Sequence, residues 1–444
     1  MDRDRSTANP VPKLHARTTA DPWARARAAA SAWVSAFWLL AARAVRRCWP
    51  AALAPMLLPL TAASGSVSAP VQPCPQLFGL FTAHSPPPGC WRPYGPNSPF
   101  NKPIPAGALQ ASDSNAIVRQ MLREGIGFAG GKQSFQLDSL GSRPIYWAQP
   151  SDPLVRIHCT YMWGPRTCEG ANGVVVDGLQ SHLPAGAQPE QASDGHLTVI
   201  EQAAGAEYDF EHASWTSPTE LTVASGSEIP ISADAGTGLG GIADAGDFGL
   251  LGGVIRASEL KAGVINHALA ISVPCTQGYV WPSRGPWGLG CASIGKSSWG
   301  ALHMGSLLQL KMSNRQIAAT GAPRWERTIM RAMAHYGLYI NDTNGGGDDQ
   351  TLELELEGDE SFTSFGESPQ MRDLIRTAGG RAWSNGGIGV GGVPIDTAKL
   401  RVLDPCVTQG TCLDTKGSAS AANHRSGNRS RHHHRHRHHR RKRP

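Results

Sequence analysis

The chain has 444 residues and a formal net charge of +6, which is long enough for one large domain with further segments. Its two ends, residues 1–47 and 416–444, hold 19 of the 41 Lys and Arg but only 3 of the 35 Asp and Glu. The segment between them therefore carries a net charge of about −10, which argues against nucleic-acid binding by the core.

The first segment, residues 1–69, has the pattern of an export signal. Three arginines precede the apolar run WPAALAPMLLPLTAA, and the small residues SGSVSA follow it. We expect export with cleavage shortly before Pro70, and a single membrane anchor is the alternative. The residues in front of the arginines are either an extension of the signal or an over-extended start.

Eight of the nine cysteines follow this segment, and they fall as neighbours along the chain. The pairs of neighbours are Cys74 and Cys90, Cys159 and Cys168, Cys275 and Cys291, and Cys406 and Cys412. An even number of cysteines in an exported chain predicts disulfides rather than a metal site. Eight cysteines allow many pairings, of which local pairing is the simplest.

Residues 70–140 predict an extended lead-in, because proline and turn residues fill HSPPPGCWRPYGPNSPFNKPIP. Apolar residues at helical spacing predict a short helix over 115–126 and a second helix over 324–337. From about residue 144 onward the sequence predicts strands. The expected strands are RPIYWAQ, PLVRIHCTY, GVVVDGL, HLTVIE, AEYDFEHAS, ELTVAS, SLLQLKM, GLYIND and TLELELE. The last of these alternates strictly, and we expect its acidic face to be solvated.

Many short strands with few helices favour a mainly β fold, a concanavalin-like or jelly-roll β-sandwich over residues 141–415. No sequence repeat recurs at a fixed period, which argues against a solenoid or propeller. The tail, residues 416–444, is rich in His and Arg and is expected to be disordered. It is a candidate for binding an anionic polymer or a metal, and a solvated tail without a partner is the alternative.

The segment GGVIRASELKAGVINHALAISVPC (252–275) combines three polar residues in a short helix followed by a strand. Arg256 and Glu259 are three apart and share a helix face, where they can pair. Gly263 suits a left-handed helix C-cap, and His267 opens a strand of alternating apolar residues. A structural ion pair and a core histidine are the simpler interpretation, and a chemical site is the alternative.

Other polar residues lie on or beside the predicted strands. His196 opens HLTVIE, and Asp209 lies in an alternating row of acids on the next strand, for which exposure to solvent is the simplest interpretation. Asp234, in ISADAG, is either a turn former or a carboxylate at the rim of a site.

Three aromatic residues, Tyr279, Trp281 and Trp287, lie between Cys275 and Cys291. Aromatic faces on a disulfide-closed loop favour stacking against sugar rings, and a small local core explains them equally well.

The chain lacks GxSxG, HExxH, a P-loop and a strand–GxGxxG–helix arrangement. Two histidines, an arginine and several carboxylates are instead typical of a polysaccharide-active cleft. A glycoside hydrolase needs two carboxyl groups, and a lyase needs a base with a group that neutralises a uronate. His267 is the best candidate base, and Arg256 and His196 are candidates for positioning or neutralising charge. The candidate carboxylates are Glu259, Asp234 and Asp209.

Several segments together resemble a broad, largely uncharacterised family of secreted soil actinobacterial proteins. They are DGHLTVI (194–200), AEYDF (206–210), ISADAG (231–236), GGVIRASELKAGVINHAL (252–269), RAMAHYGLYINDT (331–343) and LRVLDPC (400–406). The matching positions are Asp194, His196, Tyr208, Asp234, Arg256, Glu259, His267, Tyr336 and Asp342. The resemblance covers about residues 95–406, and the Gly/Ala insertion at 236–247 and the tail depart from it. It implies export and a β-rich fold, but no reaction.

Two functions follow from these observations. The first is a secreted carbohydrate-active protein, a hydrolase or lyase of an extracellular polysaccharide or cell-wall glycan. The alternative is a non-catalytic glycan-binding protein retained at the cell surface. No cofactor is expected except calcium, for which the acidic loop GGGDDQ (345–350) is a candidate without recognisable ligand spacing.

Overall fold

The structure is a computed structural model. It describes residues 74, 79–82, 85–124, 128–129, 132–137, 143–170, 172–190, 193–232, 236–285, 287–296, 302–344, 353–355, 357–358, 381–382, 388–389, 393–394 and 399–412. The predicted export signal and the predicted tail lie outside these residues. Within them, no helix is long and apolar enough to cross a membrane.

Nineteen strands and five α-helices are formed by the described residues. The helices are α1 (Ser114–Glu124), α2 (Ala257–Ala262), α3 (Asn314–Ala318), α4 (Arg324–His335) and α5 (Pro405–Gln409). The first ten strands are β1 (Phe128–Ala129), β2 (Lys132–Leu137), β3 (Arg143–Ala148), β4 (Leu154–Cys159), β5 (Gln180–His182), β6 (Leu197–Glu201), β7 (Ala206–Glu211), β8 (Ser214–Ser217), β9 (Glu220–Val223) and β10 (Ser225–Pro230). The others are β11 (Leu269–Val273), β12 (Leu307–Leu310), β13 (Leu338–Thr343), β14 (Glu353–Leu354), β15 (Glu357–Gly358), β16 (Arg381–Ala382), β17 (Ile388–Gly389), β18 (Val393–Pro394) and β19 (Leu400–Val402).

The prediction of a β-rich fold with few helices is confirmed. The two predicted helices are α1 and α4, and the predicted hairpin is the antiparallel pair β6–β7. The segment GVVVDGL (173–179) forms no strand, contrary to the prediction. Gly173 and Gly178 both adopt positive φ, at 78° and 80°, so the backbone turns near each end of the segment.

Three sheets hold most of these strands. The largest has the order β1–β2–β14–β11–β13–β12–β19, with β18 paired to β2. The second has the order β10–β7–β6–β3–β15, and the third has the order β5–β4–β9–β8. Each sheet contains a parallel pair, respectively β11–β13, β3–β6 and β4–β9, so all three are mixed.

Three hydrophobic cores separate these layers. Helices α1 and α4 pack on β11 of the largest sheet through residues such as Ile117, Met333 and Ile271. A central core joins that sheet to the second sheet and contains Trp147, while an outer core joins the second sheet to the third and contains Tyr146. The neighbours Tyr146 and Trp147 therefore face opposite sides of β3, as the period of a strand requires.

The segment predicted as a lead-in contributes to the central core. Trp91, Tyr94 and Phe100 are at most 1% exposed and lie among side chains of both larger sheets. Trp91 and Phe81 both make edge-on contacts with Trp147 of β3. Aromatic side chains bury a large apolar area each, so this proline-rich segment is an integral part of the packed fold.

Four disulfides join the eight cysteines as neighbours along the chain, the simplest pairing expected from the sequence. They close short segments with sequence separations of 16, 9, 16 and 6 residues. Several disulfides indicate an oxidising, extracellular environment.

Gly253 sits where the chain before α2 crosses β11. Its φ is +80°, and its carbonyl accepts a hydrogen bond from the backbone N–H of Ala270 at 3.0 Å. A Cβ at this position would lie 2.5 Å from that same nitrogen. Position 253 therefore requires glycine for two reasons: its backbone conformation and the lack of space for a side chain.

Gly253→Ala is expected to lower the free energy of unfolding by about 3 kcal/mol or more, because the methyl group must displace β11. Gly107→Ala is the matched control, since Gly107 has the same φ of +80° but no atom within 4 Å of an added Cβ. It should lose only about 1 kcal/mol. Chemical denaturation measures both variants, and equal losses would show that the close approach to β11 contributes nothing.

Candidate functional site

Arg256, Glu259 and His267 meet in one buried cluster at the start of α2. A Glu259 carboxylate oxygen accepts from the Arg256 guanidinium at 2.6 Å and lies 2.9 Å from His267 Nε2. The other oxygen of Glu259 accepts from the backbone N–H of Arg256 at 3.0 Å, which caps the first turn of α2. Gly263 ends the helix with φ 80°, as the sequence predicts.

The cluster ties three segments together. The Arg256 guanidinium donates to the carbonyl of Trp91 at 2.6 Å and stacks on the Trp91 ring with 5.1 Å to its centroid. Burial alone would raise the pKa of Glu259, but Arg256 and His267 more than offset it and lower the pKa to about 2. The three side chains are at most 4% exposed. The catalytic role predicted for them stays a prediction, and the contacts show an ion-paired anchor for the helix.

His196 lies in a second cluster, away from these three residues. Its Nδ1 contacts the Glu190 carboxylate, and its Nε2 lies 2.8 Å from the carbonyl of Ala243. Burial and the neighbouring Arg143 lower the pKa of His196, but Glu190 outweighs them and the pKa rises to about 9. The guanidinium of Arg143 contacts the same Nδ1, so His196 lies between Arg143 and Glu190.

Arg143 is the centre of this second cluster. Its guanidinium lies 3.1 Å from a Glu355 oxygen and 3.4 Å from an oxygen of Asp342, and its side chain is 5% exposed. Ser272 of β11 donates to Glu355 at 2.7 Å. Arg143 begins β3 in the second sheet, whereas Asp342 belongs to β13 in the largest sheet. One guanidinium thus links the two sheets.

Asp342 and Asp244 form a row of carboxyl groups beside Arg143. Burial raises the pKa of Asp342 to about 6, against the opposing effect of Arg143. Burial, and then Asp342, raise the pKa of Asp244 well above its usual value. One oxygen of Asp244 accepts from the backbone N–H groups of Gly246 and Phe248, each at 3.0 Å, and this holds the turn 244–248.

Asp247, in this turn, brings the row of carboxyl groups to the surface. It adopts φ 58°, an uncommon conformation for a residue with a side chain. Burial raises its pKa to about 6, although the neighbouring Trp287 indole and the charge of Arg284 oppose this. Trp287 is 71% exposed. We call this pair the Asp247–Trp287 site. Asp244 interacts with both Asp247 and Asp342, which connects the pair to Asp342.

The loop between Cys275 and Cys291 carries the predicted sugar-stacking aromatics. Tyr279 is 49% exposed, whereas Trp281 is half-buried. The backbone N–H of Leu289 donates to the hydroxyl of Thr343 at 2.8 Å, next to Asp342. This bond places Trp287 beside the end of β13, so the loop and the carboxyl groups form one surface feature.

Asp209, a candidate carboxylate that was expected to be exposed, is fully buried beside Glu207 on β7. Asp209 accepts from the backbone N–H of Leu250 at 2.9 Å, and Glu207 accepts from that of Leu251 at 2.8 Å. Tyr94 also donates to Glu207 at 2.7 Å. Burial raises the pKa values of both carboxyl groups, that of Glu207 to about 7. This face of β7 is not solvated, and its acids bind the loop that leads to Gly253.

Two predicted features lie outside the described residues, namely Asp234 and the calcium candidate GGGDDQ (345–350). Among the side chains that are described, no group of three or more His, Cys, Asp or Glu is placed to hold a metal ion.

The sequence patterns missed Arg143, Glu190, Asp244 and Asp247 as site residues. Arg143 is a charged residue at the start of an otherwise apolar strand, and this was the one feature of the sequence that could have marked it as a site residue. The acids of TLELELE were expected to be solvated, but Glu355 and Glu357 are both 6% exposed. Glu355 is buried because its partner is Arg143, which lies 212 residues away in the chain.

Glu259→Gln is expected to lower the free energy of unfolding at pH 7 by about 3–5 kcal/mol, because Arg256 is left buried without a carboxylate. The Glu259 pKa is lowered in the folded state, so this difference should be present above about pH 4.5 and shrink as pH falls toward 2. Denaturation at pH 7 and pH 3 measures it. Glu220→Gln, in an exposed pair with His158, is the control and should change little. An equal loss in both variants contradicts the anchoring role.

Asp247→Asn should change stability with the opposite pH dependence. The folded-state pKa of Asp247 is raised, so the wild type loses stability as pH rises from about 3.8 to about 6, and asparagine does not. The variant is therefore expected to match the wild type near pH 3.5 and to exceed it at pH 7.5. Thermal unfolding at both values measures this, and a difference independent of pH contradicts it.

Comparisons with known proteins identify no relative of this chain. No protein family, no curated protein and no solved structure matches the chain. The resemblance to secreted soil actinobacterial proteins stays a prediction, and the geometry of the Asp247–Trp287 site is the basis for assigning a function.

Proposed function

We propose that this is a secreted carbohydrate-active protein that binds and hydrolyses an extracellular polysaccharide at the Asp247–Trp287 site. One observation carries the proposal: the indole of Trp287, which is 71% exposed, lies beside the Asp247 carboxyl group, whose pKa is raised. An exposed aromatic face supplies stacking for a sugar ring, and the carboxyl beside it supplies a proton or a hydrogen bond.

Hydrolysis of a glycosidic bond needs two carboxyl groups, one protonated and one ionised. Asp247 lies at the surface beside Trp287, and in this proposal it protonates the glycosidic oxygen as the bond to that oxygen breaks. Asp342 is held against Arg143 at 3.4 Å, which favours its ionised form. It takes the proton of the water molecule that attacks the sugar carbon. Burial keeps the pKa values of both groups near 6, where one can be protonated while the other is ionised.

The alternative is glycan binding without catalysis. Tyr279 and Trp287 are both exposed on a disulfide-closed loop, and such a surface can retain a glycan without any chemistry. The burial of His267 and its bond to Glu259 favour this alternative over a lyase that uses His267 as base.

The fold and the origin of the protein are part of the same proposal. Three mixed sheets with packed interfaces are compatible with a layered carbohydrate-active fold. The parallel pairs β3–β6, β4–β9 and β11–β13 depart from the antiparallel pairing typical of a jelly roll. Membership of the secreted actinobacterial family remains a proposal that rests on the segments quoted above.

The test is a screen of the full chain against neutral and acidic polysaccharides, with retention and release of reducing ends measured separately. Asp247→Asn should lower cleavage by about 100-fold or more while retention persists, because the acid is lost and the aromatic face is kept. Trp287→Ala should lower both. Cleavage by the wild type should be greatest near pH 6 and fall on either side, as Asp247 ionises above it and Asp342 is protonated below it.

Trp163→Ala is the matched control, since Trp163 is 58% exposed and its indole donates to Glu211 at 2.8 Å. Trp163 also lies on a loop closed by a disulfide, Cys159–Cys168. Retention without cleavage supports the binding alternative. Equal losses in the Trp163 and Trp287 variants, or no retention of any polysaccharide, would rule out this site as the sugar-binding surface.

A further inference from the structure

A cavity of about 600 Å³ lies where β12 and β19 pair at one edge of the largest sheet. Lys311, Lys399 and Arg401 line it together with polar side chains such as Gln110 and Gln309. Among the described residues that line it, none is Asp or Glu. We call this the basic cavity, and it contrasts with the acidic balance of the chain between its basic ends.

The pairing of the two strands places the cations together. Gln309 lies opposite Arg401, and two residues further along the ladder the backbone N–H of Lys311 donates to the carbonyl of Lys399 at 2.8 Å. Two lysines facing each other across a strand pair repel and destabilise it. Among the described residues, no carboxylate forms an ion pair with any of the three cations.

Arg401 is held in place by neutral groups. Its Nε and one Nη donate to the Gln309 side-chain oxygen at 2.9 and 2.6 Å, and its other Nη donates to the carbonyl of Ala108 at 3.1 Å. A guanidinium has five N–H groups, so these three bonds fix the side chain and leave two donors. The positive charge of Arg401 is therefore positioned but not neutralised.

We propose that the basic cavity binds the carboxylate or sulfate groups of an acidic polysaccharide, the substrate class of the protein. A carboxylate or sulfate supplies acceptors for Lys311, Lys399 and the two remaining donors of Arg401. The cavity has room for about 20 water molecules, more than one inorganic anion fills, so it fits a charged sugar unit. This inference rests on the proposed carbohydrate function and adds the charge of the glycan to it.

Lys311→Gln/Lys399→Gln is the test variant, because it removes two of the charges and leaves Arg401 and its bonds intact. Binding is measured by calorimetry at low ionic strength to oligogalacturonate, sulfated dextran oligosaccharide and neutral dextran oligosaccharide. The wild type should bind one or both charged oligosaccharides and prefer them to the neutral one. The variant should bind them about tenfold more weakly. Its melting temperature should stay the same or rise, since a repulsive pair is removed.

Lys102→Gln/Lys261→Gln removes the same charge from exposed positions and should bind like the wild type. All variants carry the same basic tail, so the tail cannot produce a difference between them. Binding of a charged oligosaccharide that is unchanged in the cavity variant overturns the inference and leaves the proposed function standing. Equal weakening in both double variants, or competition by inorganic sulfate alone at equal affinity, also overturns it. The absence of any oligosaccharide binding overturns the inference together with the proposed function.

Discussion

The structure depends on one guanidinium held between two sheets. Arg143 leaves the second sheet and meets Asp342 of the largest sheet, while a further partner, Glu355, lies between β14 and β15. Strand β14 belongs to the largest sheet and β15 to the second, so Arg143 binds the chain where it passes from one to the other. An isolated charge here would be costly, and its carboxylate partners are therefore structural requirements. Arg143 also interacts with both Asp244 and Asp342, the two carboxyl groups near the surface loop of Trp287.

Local patterns in the sequence predicted the local structure well. The helical spacing gave α4, the alternation gave the β6–β7 hairpin, and the i,i+3 spacing with Gly263 gave the cluster of Arg256 and Glu259. The candidate site was less predictable, because Asp342 and Glu355 lie 199 and 212 residues from Arg143. Alternation identifies the faces of a strand but not which face another sheet covers. The acids of β7 and of TLELELE were therefore assigned to solvent, although their partners bury them.

The buried carboxyl groups divide into two kinds. Glu259 has cationic partners that keep it ionised, and it holds α2 on the core. Asp244, Asp247 and Asp342 have too little positive charge nearby to offset their burial, so their pKa values are raised. Buried carboxyl groups with raised pKa values lower the stability of a fold. Ionisable groups that are kept at such a cost are typical of binding and catalytic sites. A raised pKa alone does not mark a site, because Glu207 and Asp209 share it while they hold a loop. The exposed indole of Trp287 beside Asp247 is what distinguishes the Asp247–Trp287 site.

The four disulfides have a consequence for how the molecule responds to reducing conditions. Every one closes a short segment, with a sequence separation of at most 16, and none joins one sheet to another. Two of these links nevertheless lie against the packed layers, since Cys168 is fully buried in the outer core and Cys74 packs on the central core. Reduction would therefore place free thiols inside the cores as well as release the loops of Trp163 and Trp287, so both the core and the surface of this protein are matched to an oxidising environment.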